Sequence, residues 1–375
     1  MSQRRPHSTT VLLLSLAATA LLAAAFARQL GAQAPAYEVN DSHLHLTNYI
    51  QEGTNIHDLL KVMGTRVGRV ALFGIPLQQQ WAYSNTGKFA PTYYLQTDAP
   101  LYYYSFTDAF IAMAYRSLTP AEQARFDPMI TGFNPTDMYA ADHIRRVLTT
   151  FPGVFTGIGE FTIHKEFVSP KIAGETASLL NPALDRILDF AADAGLVVIL
   201  HNDIDMPFPK PGQDPYQLAQ LKDLFSRHQR TSIIWAHAGV GRVVTPLKDR
   251  ITAADENPVA VNHLEILDRA LSSPELAHVN IDLSWDETAK YILASSESLA
   301  RTAELINRYP DRFVFGTDEV APTDQTAYLK VYAMYAPLFA KLRPEVSEKV
   351  RKQNYERIFN EGRRRVRDWE RLNVK

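Results

Sequence analysis

Glu38-Val39-Asn40-Asp41-Ser42-His43-Leu44-His45-Leu46 is the stretch of sequence on which the rest of the chain is organised. In a β-strand, residues two apart point to the same face, so His43 and His45 would present two imidazoles side by side while the leucines pack on the other face. Two imidazoles placed in this way form half of a metal site. The pattern also fits two polar residues on an exposed strand, so the remaining sequence has to decide between these interpretations.

Seven further apolar segments have the composition of buried strands, and amphipathic helical stretches lie between them. The predicted strands are 69–75, 126–133, 154–163, 196–201, 232–237, 279–284 and 313–318. Helices are predicted between Asn181-Pro182 and Gly195 and over 216–228, 262–271 and 296–309. Eight nearly continuous apolar strands alternate with helices, and no glycine-rich nucleotide loop follows the first strand. This pattern predicts an α/β protein with a parallel (β/α)8 TIM barrel.

One connection is much longer than the others. Residues 77–125, between the second and third strands, form an insertion that contains a helix predicted near 107–113 and many aromatic residues, namely Trp81, Tyr83, Tyr93, Tyr94, Tyr102, Tyr103, Tyr104 and Phe106. A connection that follows a strand lies on the catalytic face of such a barrel, which favours a lid or substrate wall. Exposed tyrosine and tryptophan also suit a subunit interface, and hence a homo-oligomer. Both interpretations remain open.

The first 34 residues predict a signal peptide rather than part of the fold. Arg4 and Arg5 precede an apolar segment from Val11 to about Phe26, and small-x-small cleavage sites follow at 25–27 and 32–34. Cleavage would leave residues 35–375 as the barrel, in the periplasm or outside the cell, with no stable membrane partner. An uncleaved anchor is the alternative, although roughly 16 apolar residues are fewer than a membrane helix needs.

The composition narrows the partners and the chemistry. A net charge of −2 over 375 residues gives no indication of a nucleic-acid partner. The one basic cluster, Arg363-Arg364-Arg365 with Arg367, is predicted to be the solvated face of a terminal helix. Cysteine is absent, so a thiol nucleophile and a cysteine-based zinc site are excluded. Any metal must therefore be held by histidine and carboxylate.

The predicted strand ends carry six residues of the types that bind metals. In a (β/α)8 barrel the chemistry lies at the carboxyl ends of the strands, and these ends hold His43, His45, Glu160, His201, His237 and Asp318. An unpaired imidazole or carboxylate is costly to bury, so such groups are expected to be paired or bound to metal. We therefore predict a site for a divalent metal, with zinc as the expected ion. The remaining histidines apart from His164 are predicted to be surface residues, namely His57, His143, His228, His263 and His278.

The motifs resemble the metal-dependent amidohydrolase superfamily, especially the amidohydrolase-related branch that includes aminocarboxymuconate-semialdehyde decarboxylase. They are Asp41-Ser42-His43-Leu44-His45, Gly159-Glu160, Leu200-His201, Ala236-His237-Ala238-Gly239 and Gly316-Thr317-Asp318, and the resemblance spans about residues 38 to 362. It implies that one divalent metal is bound by His43, His45, His201 and Asp318, with His237 as the acid/base.

The same resemblance leaves the number of ions open. Members with two metals often have a carboxylated lysine or a glutamate that bridges the ions, and Glu160 stands at that place. In that arrangement one ion would be held by His43, His45 and Asp318, and the other by His201 and His237. With a single ion, Glu160 would instead orient a ligand histidine.

The chemistry expected of such a site is hydrolysis. A bound metal lowers the pKa of water and polarises a carbonyl group, while Asp318 could transfer the proton and His237 could stabilise the oxyanion. We therefore predict a metal-dependent hydrolase of a small ester, lactone or amide. The alternative is non-oxidative decarboxylation of a small carboxylic acid at the same site. A ligand-binding barrel without activity is less favoured because no expected ligand is missing. His164 and Arg242 are candidate contacts to a substrate carboxylate.

Overall fold

The computed structural model describes residues 37–204, 213–242 and 263–374. The predicted signal peptide, residues 1–34, lies outside these ranges. None of the helices within them is long and apolar enough to cross a membrane.

Nine strands of the described chain form one sheet in which neighbouring strands are parallel. In chain order the strands are β1 (Val39–His45), β2 (Val67–Phe73), β3 (Leu77–Gln79), β4 (Leu101–Tyr103), β5 (Phe126–Ile130), β6 (Gly157–His164), β7 (Val197–Asn202), β8 (Ser232–Trp235), β9 (Val279–Asp282), β10 (Phe313–Val314) and β11 (Glu319–Val320). The order across the sheet is β10-β9-β8-β7-β6-β5-β2-β1-β11, while β3 and β4 form a separate antiparallel pair.

The two outermost strands of the sheet, β10 and β11, are neighbours in the sequence. The residues between them also bind β1, because the Ser42 N–H donates to the Phe315 carbonyl at 3.0 Å and the Asp318 N–H donates to the His43 carbonyl at 2.8 Å. Residues 313–320 thus act as one interrupted strand that joins β9 on one side and β1 on the other. The sheet closes into an eight-stranded barrel, and the predicted (β/α)8 fold is confirmed.

The predicted helices are present with ends close to those expected. Pro182–Ala194 illustrates why, since the Asn181 side chain accepts a hydrogen bond from the Ala183 N–H and Gly195 ends the helix in the left-handed conformation. The longer helices are Ile56–Met63, Phe106–Arg116, Ala140–Thr150, Pro182–Ala194, Tyr216–Arg227, His263–Ser272, Asp286–Ile292, Ser296–Arg308 and Asn354–Asn373. The shorter ones are Tyr83–Thr86, Pro120–Gln123, Gln325–Tyr328, Lys330–Met334, Ala336–Lys341 and Pro344–Glu348.

The C-terminal helix Asn354–Asn373 packs against the barrel interior. Its residues Tyr355, Ile358 and Phe359 belong to the same buried cluster as side chains of the strands, including Ala71, Phe73, Met129, Val197, Ile199, Ile234 and Val314. Near the amino ends of the strands, the buried Asp127 accepts hydrogen bonds from Arg69 at 2.6 Å, Tyr355 at 2.7 Å and Arg363 at 2.7 Å. The predicted solvated face of this helix is therefore wrong for Arg363, which pairs with a buried carboxylate.

The insertion, residues 77–125, is partly packed and partly exposed. Tyr94 and Leu101 belong to a small buried cluster with residues that lie outside the insertion, namely Tyr49, Ile75, Val168 and Ile172. Other aromatic residues are exposed, among them Trp81, Tyr83, Phe89, Tyr102 and Phe106. Whether the insertion serves as a lid or as an interface stays a prediction.

Two histidines predicted to lie on the surface are buried. The His228 ring nitrogens lie 2.7 Å from Asp185 and 3.2 Å from Asp189, and the His263 Nε2 lies 2.7 Å from the Ala238 carbonyl. Both side chains face neighbouring elements rather than solvent, so the surface prediction is wrong for these two residues.

Candidate metal centre

Four of the six predicted ligand residues form one compact group at the carboxyl ends of the strands. The Nε2 atoms of His43 and His45 lie 3.3 Å and 3.1 Å from Oδ1 of Asp318. The same nitrogens lie 3.6 Å and 3.4 Å from Oε2 of Glu160. All four side chains are at most 10 % exposed. Because β1, β6 and the last strand converge here, residues more than 270 positions apart in the sequence can share one ion.

The other two residues, His201 and His237, form a second group with the opposite oxygen of Glu160. His237 Nε2 lies 3.2 Å from Oε1, and His201 Nδ1 contacts the same atom. Glu160 thus directs one carboxylate oxygen to each group, and the structure brings all six predicted ligands together.

The outer hydrogen bonds of the predicted ligand histidines indicate which ring nitrogen carries the proton. His43 Nδ1 lies 2.8 Å from Asp282, and His237 Nδ1 lies 2.8 Å from the Ser284 hydroxyl, which donates its own proton to Asp282 at 2.7 Å. An ionised carboxylate only accepts hydrogen bonds, so both Nδ1 atoms must be donors. The Nε2 lone pairs of His43 and His237 therefore point into the centre.

The same argument applies to the remaining pair. His45 Nδ1 donates to the Gly74 carbonyl at 3.3 Å, and His201 Nε2 donates to Asp203 at 2.8 Å. Their other nitrogens face the centre as acceptors. When the rings are neutral, buried acceptors thus face one another without donors between them, and His43 Nε2 has no hydrogen-bond partner. This donor set fits a divalent metal, which would supply the missing positive charge.

The electrostatics of the cluster also favour positive charge at its centre. Burial opposes a charge on His43, but the carboxylates of Glu160 and Asp282 raise its pKa well above the ordinary value. Burial alone would raise the pKa of Glu160, yet Lys165, His201 and His43 hold it well below its usual range. The Glu160 carboxylate is therefore ionised and able to bind a cation.

The backbone is strained where it places these side chains. His237, Trp285 and Asp318 have positive φ values of 55°, 78° and 57°. Non-glycine residues adopt this conformation only when the surrounding structure enforces it, and such residues concentrate at functional sites. Gly316 has a related role, since a Cβ there would lie 2.7 Å from the His43 Cβ. Only glycine lets the last strand approach β1 this closely.

The two predicted substrate contacts, Arg242 and His164, differ in their surroundings. Arg242 lies beside the centre, with its guanidinium carbon 4.9 Å from the Trp285 ring, which in turn lies 5.2 Å from the His237 ring. His164 ends β6 and is half-buried, and its carbonyl accepts a hydrogen bond from the Asp203 N–H at 3.0 Å. A substrate contact stays a prediction for both residues.

Several residues of the site were not predicted from the sequence. Asp282 lies in the predicted strand 279–284 and Asp203 follows His201 by two residues, so their positions alone could have indicated ligand-orienting carboxylates. Ser284 and Lys165 carry no comparable signal, because their roles depend on which side chains the fold brings beside them.

The sequence matches a family model described as amidohydrolase over residues 41–360, a range that contains all six predicted ligands. The chain belongs to the amidohydrolase family, as its motifs indicated. The protein is accordingly an enzyme of the metal-dependent hydrolase type.

Solved structures with a similar overall fold share little sequence with this chain. An uncharacterised TIM-barrel protein from Bordetella bronchiseptica is 11% identical, with a TM-score of 0.49 over 86% of this chain and 99% of the other. An amidohydrolase from Burkholderia multivorans with bound zinc is 14% identical, with a TM-score of 0.47 over 87% and 99%. The 4-oxalomesaconate hydratase of Rhodopseudomonas palustris is 12% identical, with a TM-score of 0.49 over 89% and 99%. The comparison with curated proteins finds no match. Nothing about substrate or reaction follows from these similarities.

Proposed function

We propose that the protein is a hydrolase that holds two divalent ions and uses activated water to cleave a small ester, lactone or amide. The observation that supports this proposal is the position of Glu160. Its Oε2 lies 3.4 Å from His45, while its Oε1 lies 3.2 Å from His237 in the second group. A carboxylate shared in this way would offset much of the repulsion between two neighbouring cations.

Each ion would have its own ligand group. The first would be held by His43, His45, Asp318 and Glu160, and the second by His201, His237 and Glu160. Zinc is the expected ion because imidazole and carboxylate donors suit it and no thiolate is present. A divalent ion in such a site supplies Lewis acidity, which lowers the pKa of water and polarises a carbonyl group.

Proton transfer is assigned to Asp318 in this proposal. Burial would raise its pKa, but His237, His45 and His43 hold it below the usual range, so the carboxylate is ionised. We assign it the transfer of a proton from the attacking water to the leaving group. His237 acts as a ligand in this assignment, because its Nδ1–H is committed to Ser284 and its Nε2 faces Glu160. With two ions, His237 would not need the acid/base role that the family resemblance implies for a single-ion site.

Non-oxidative decarboxylation is the second candidate function. Lys165 and Arg242 both lie beside Trp285, close to the proposed ligands, and such cations favour a substrate that carries a carboxylate. This observation does not distinguish a carboxylate that is lost from one that only positions the substrate.

Isotope labelling separates the two reactions. The metal-loaded enzyme would be incubated in ¹⁸O-water with a panel of aryl esters, lactones, anilides and aromatic carboxylic acids, and the organic products analysed by mass spectrometry. Hydrolysis places one ¹⁸O atom in the acid product, and the activity should disappear on chelation and return with zinc. Release of carbon dioxide without ¹⁸O in the organic product would refute the hydrolase and favour the decarboxylase.

The cellular context is part of the proposal. Export to the periplasm or the medium rests on residues 1–34, and a homo-oligomer rests on the exposed aromatic residues of the insertion. Light scattering on the purified mature protein would decide the oligomeric state.

A further inference from the structure

Two cationic side chains lie beside one buried indole ring next to the proposed metal ligands. The Lys165 ammonium lies 5.4 Å from the centre of the Trp285 ring, and the Arg242 guanidinium carbon lies 4.9 Å from it. Trp285 is only 7% exposed and lies 5.2 Å from the His237 ring. We call Lys165, Arg242 and Trp285 the cationic wall.

Lys165 is the less satisfied of the two cations. Within the described ranges no carboxylate lies at salt-bridge distance from its ammonium group, and its side chain is half-buried. Burial opposes its charge, but the more distant carboxylates of Glu160 and Asp318 raise its pKa above the ordinary value, so it stays protonated. A half-buried ammonium group without an ion-pair partner is costly unless a ligand supplies an anion.

Arg242 is held in place by residues of the insertion. Its Nη2 donates to the hydroxyls of Tyr93 at 3.2 Å and Tyr94 at 3.4 Å, while Nη1 pairs with Glu287 at 3.3 Å. The rings of Tyr93 and Tyr94 lie 4.4 Å apart and both contact Tyr49. The surroundings of the cations are therefore aromatic, with Arg242 already partly neutralised by Glu287.

We infer that the cationic wall binds an anionic group of the substrate, with Lys165 as its direct partner and Arg242 as the second cation. The substrate is then a small aromatic anion, such as an aryl carboxylate that also carries the ester, lactone or amide bond. An anion at Lys165 gains a charge-assisted hydrogen bond, and an aromatic ring gains contact with Trp285 and the tyrosines. This inference rests on the proposed function and specifies the class of its substrate.

A pair of non-reacting probes tests the charge preference without turnover. Benzenesulfonate and methyl phenyl sulfone have nearly the same shape, but only the first is charged, and sulfonates are weak metal ligands. Their affinities for the metal-loaded protein would be measured by calorimetry. A charge-assisted hydrogen bond predicts that benzenesulfonate binds at least about tenfold more tightly than the sulfone.

Substitutions then assign the preference to the wall. Lys165→Met should bring the ratio of the two affinities close to one while metal content and sulfone binding stay unchanged, and Lys165→Arg should keep most of the preference. Arg242→Met should reduce the ratio less. Lys61→Met is the matched control, because it removes the same charge from an exposed lysine that pairs with Asp58, and it should leave the ratio unchanged.

Three outcomes would overturn the inference. The first is equal affinity of the unmodified protein for benzenesulfonate and the sulfone. The second is a preference for benzenesulfonate that persists in both Lys165→Met and Arg242→Met. The third is loss of metal from Lys165→Met while Arg242→Met keeps the full preference. The last would show that Lys165 only balances the charge of Glu160. The binding test does not depend on the labelling experiment. Labelling decides whether the enzyme is a hydrolase, and the sulfonate preference decides whether the cationic wall binds an anion, so either proposal can fail while the other holds.

Discussion

Replacing Glu160 with glutamine is the change that most directly tests the two-ion arrangement. The amide has nearly the same shape as the carboxylate, but one oxygen becomes an NH2 group that cannot bind a metal. Because the two oxygens of Glu160 face different ligand groups, only one of the groups keeps an oxygen ligand. The NH2 group can donate to an inward-facing imidazole nitrogen, so we expect the variant to fold.

The size of the effect follows from the charge removed. At an effective dielectric constant of about 20, two unit charges about 4 Å apart attract each other by about 4 kcal/mol, and a divalent ion doubles this. Desolvation of the carboxylate offsets part of the gain. We therefore expect the more weakly held ion to lose about a thousandfold in affinity, while the other ion loses less.

The assay is elemental analysis after dialysis against a moderate chelator, combined with zinc titration by calorimetry. Glu160→Gln should fall from about two ions per chain to about one. Glu287→Gln is the matched control. Glu287 pairs with Arg242 and belongs to neither ligand group, so the same change of carboxylate to amide there should leave both ions bound. Retention of two tightly bound ions in Glu160→Gln would refute the bridging role. A single ion in the unmodified protein, kept by the variant, would instead favour Glu160 as a group that orients His201.

The remaining predictions concern proton transfer, stability and export. Asp318→Asn should lower turnover by about 10² to 10⁴-fold because the amide cannot accept the proton. Asp318→Ala should also lose the ion of the first group. Turnover and metal content would be measured on both variants, and full activity of Asp318→Asn would contradict the prediction. Asp127→Ala should destabilise the fold by about 3 kcal/mol, since it leaves Arg69 and Arg363 without their buried partner, and urea unfolding would show it while metal content stays unchanged. Mass spectrometry of the exported protein should find a mature chain that begins between residues 28 and 35, and an intact membrane-extracted chain would contradict export by cleavage.

The elements that the sequence predicts well are those whose signal is local. Apolar runs such as 196–201 and 232–237 correspond to β7 and β8, and Asn181 and Gly195 fix the ends of their helix because capping depends on adjacent residues. The positions of the predicted ligands follow from the fold, since parallel barrel strands place their carboxyl ends together.

What the sequence could not predict depends on contacts between distant residues. The role of Asp282 arises because β9 brings it beside His43, 239 positions away in the chain. The insertion supplies two tyrosine hydroxyls to Arg242, and no periodicity indicates such a contact. The sequence predicts a solvated helix face for Arg363 because its buried partner, Asp127, belongs to a distant strand. In each case the sequence shows the type of the residue but not the distant residue that it contacts.

The strands of the barrel carry both the side chains that pack its interior and the predicted site residues at their carboxyl ends. Phe73 shows the connection, because it belongs to the buried interior cluster and its ring lies 5.0 Å from His43 and 4.7 Å from His45. Packing below the site therefore holds the two imidazoles in position. Rigid support of this kind reduces the reorganisation that a ligand group needs when it binds a metal. The strain at His237 and Asp318 can be sustained for the same reason, since the core beneath them stabilises the conformation that the site requires.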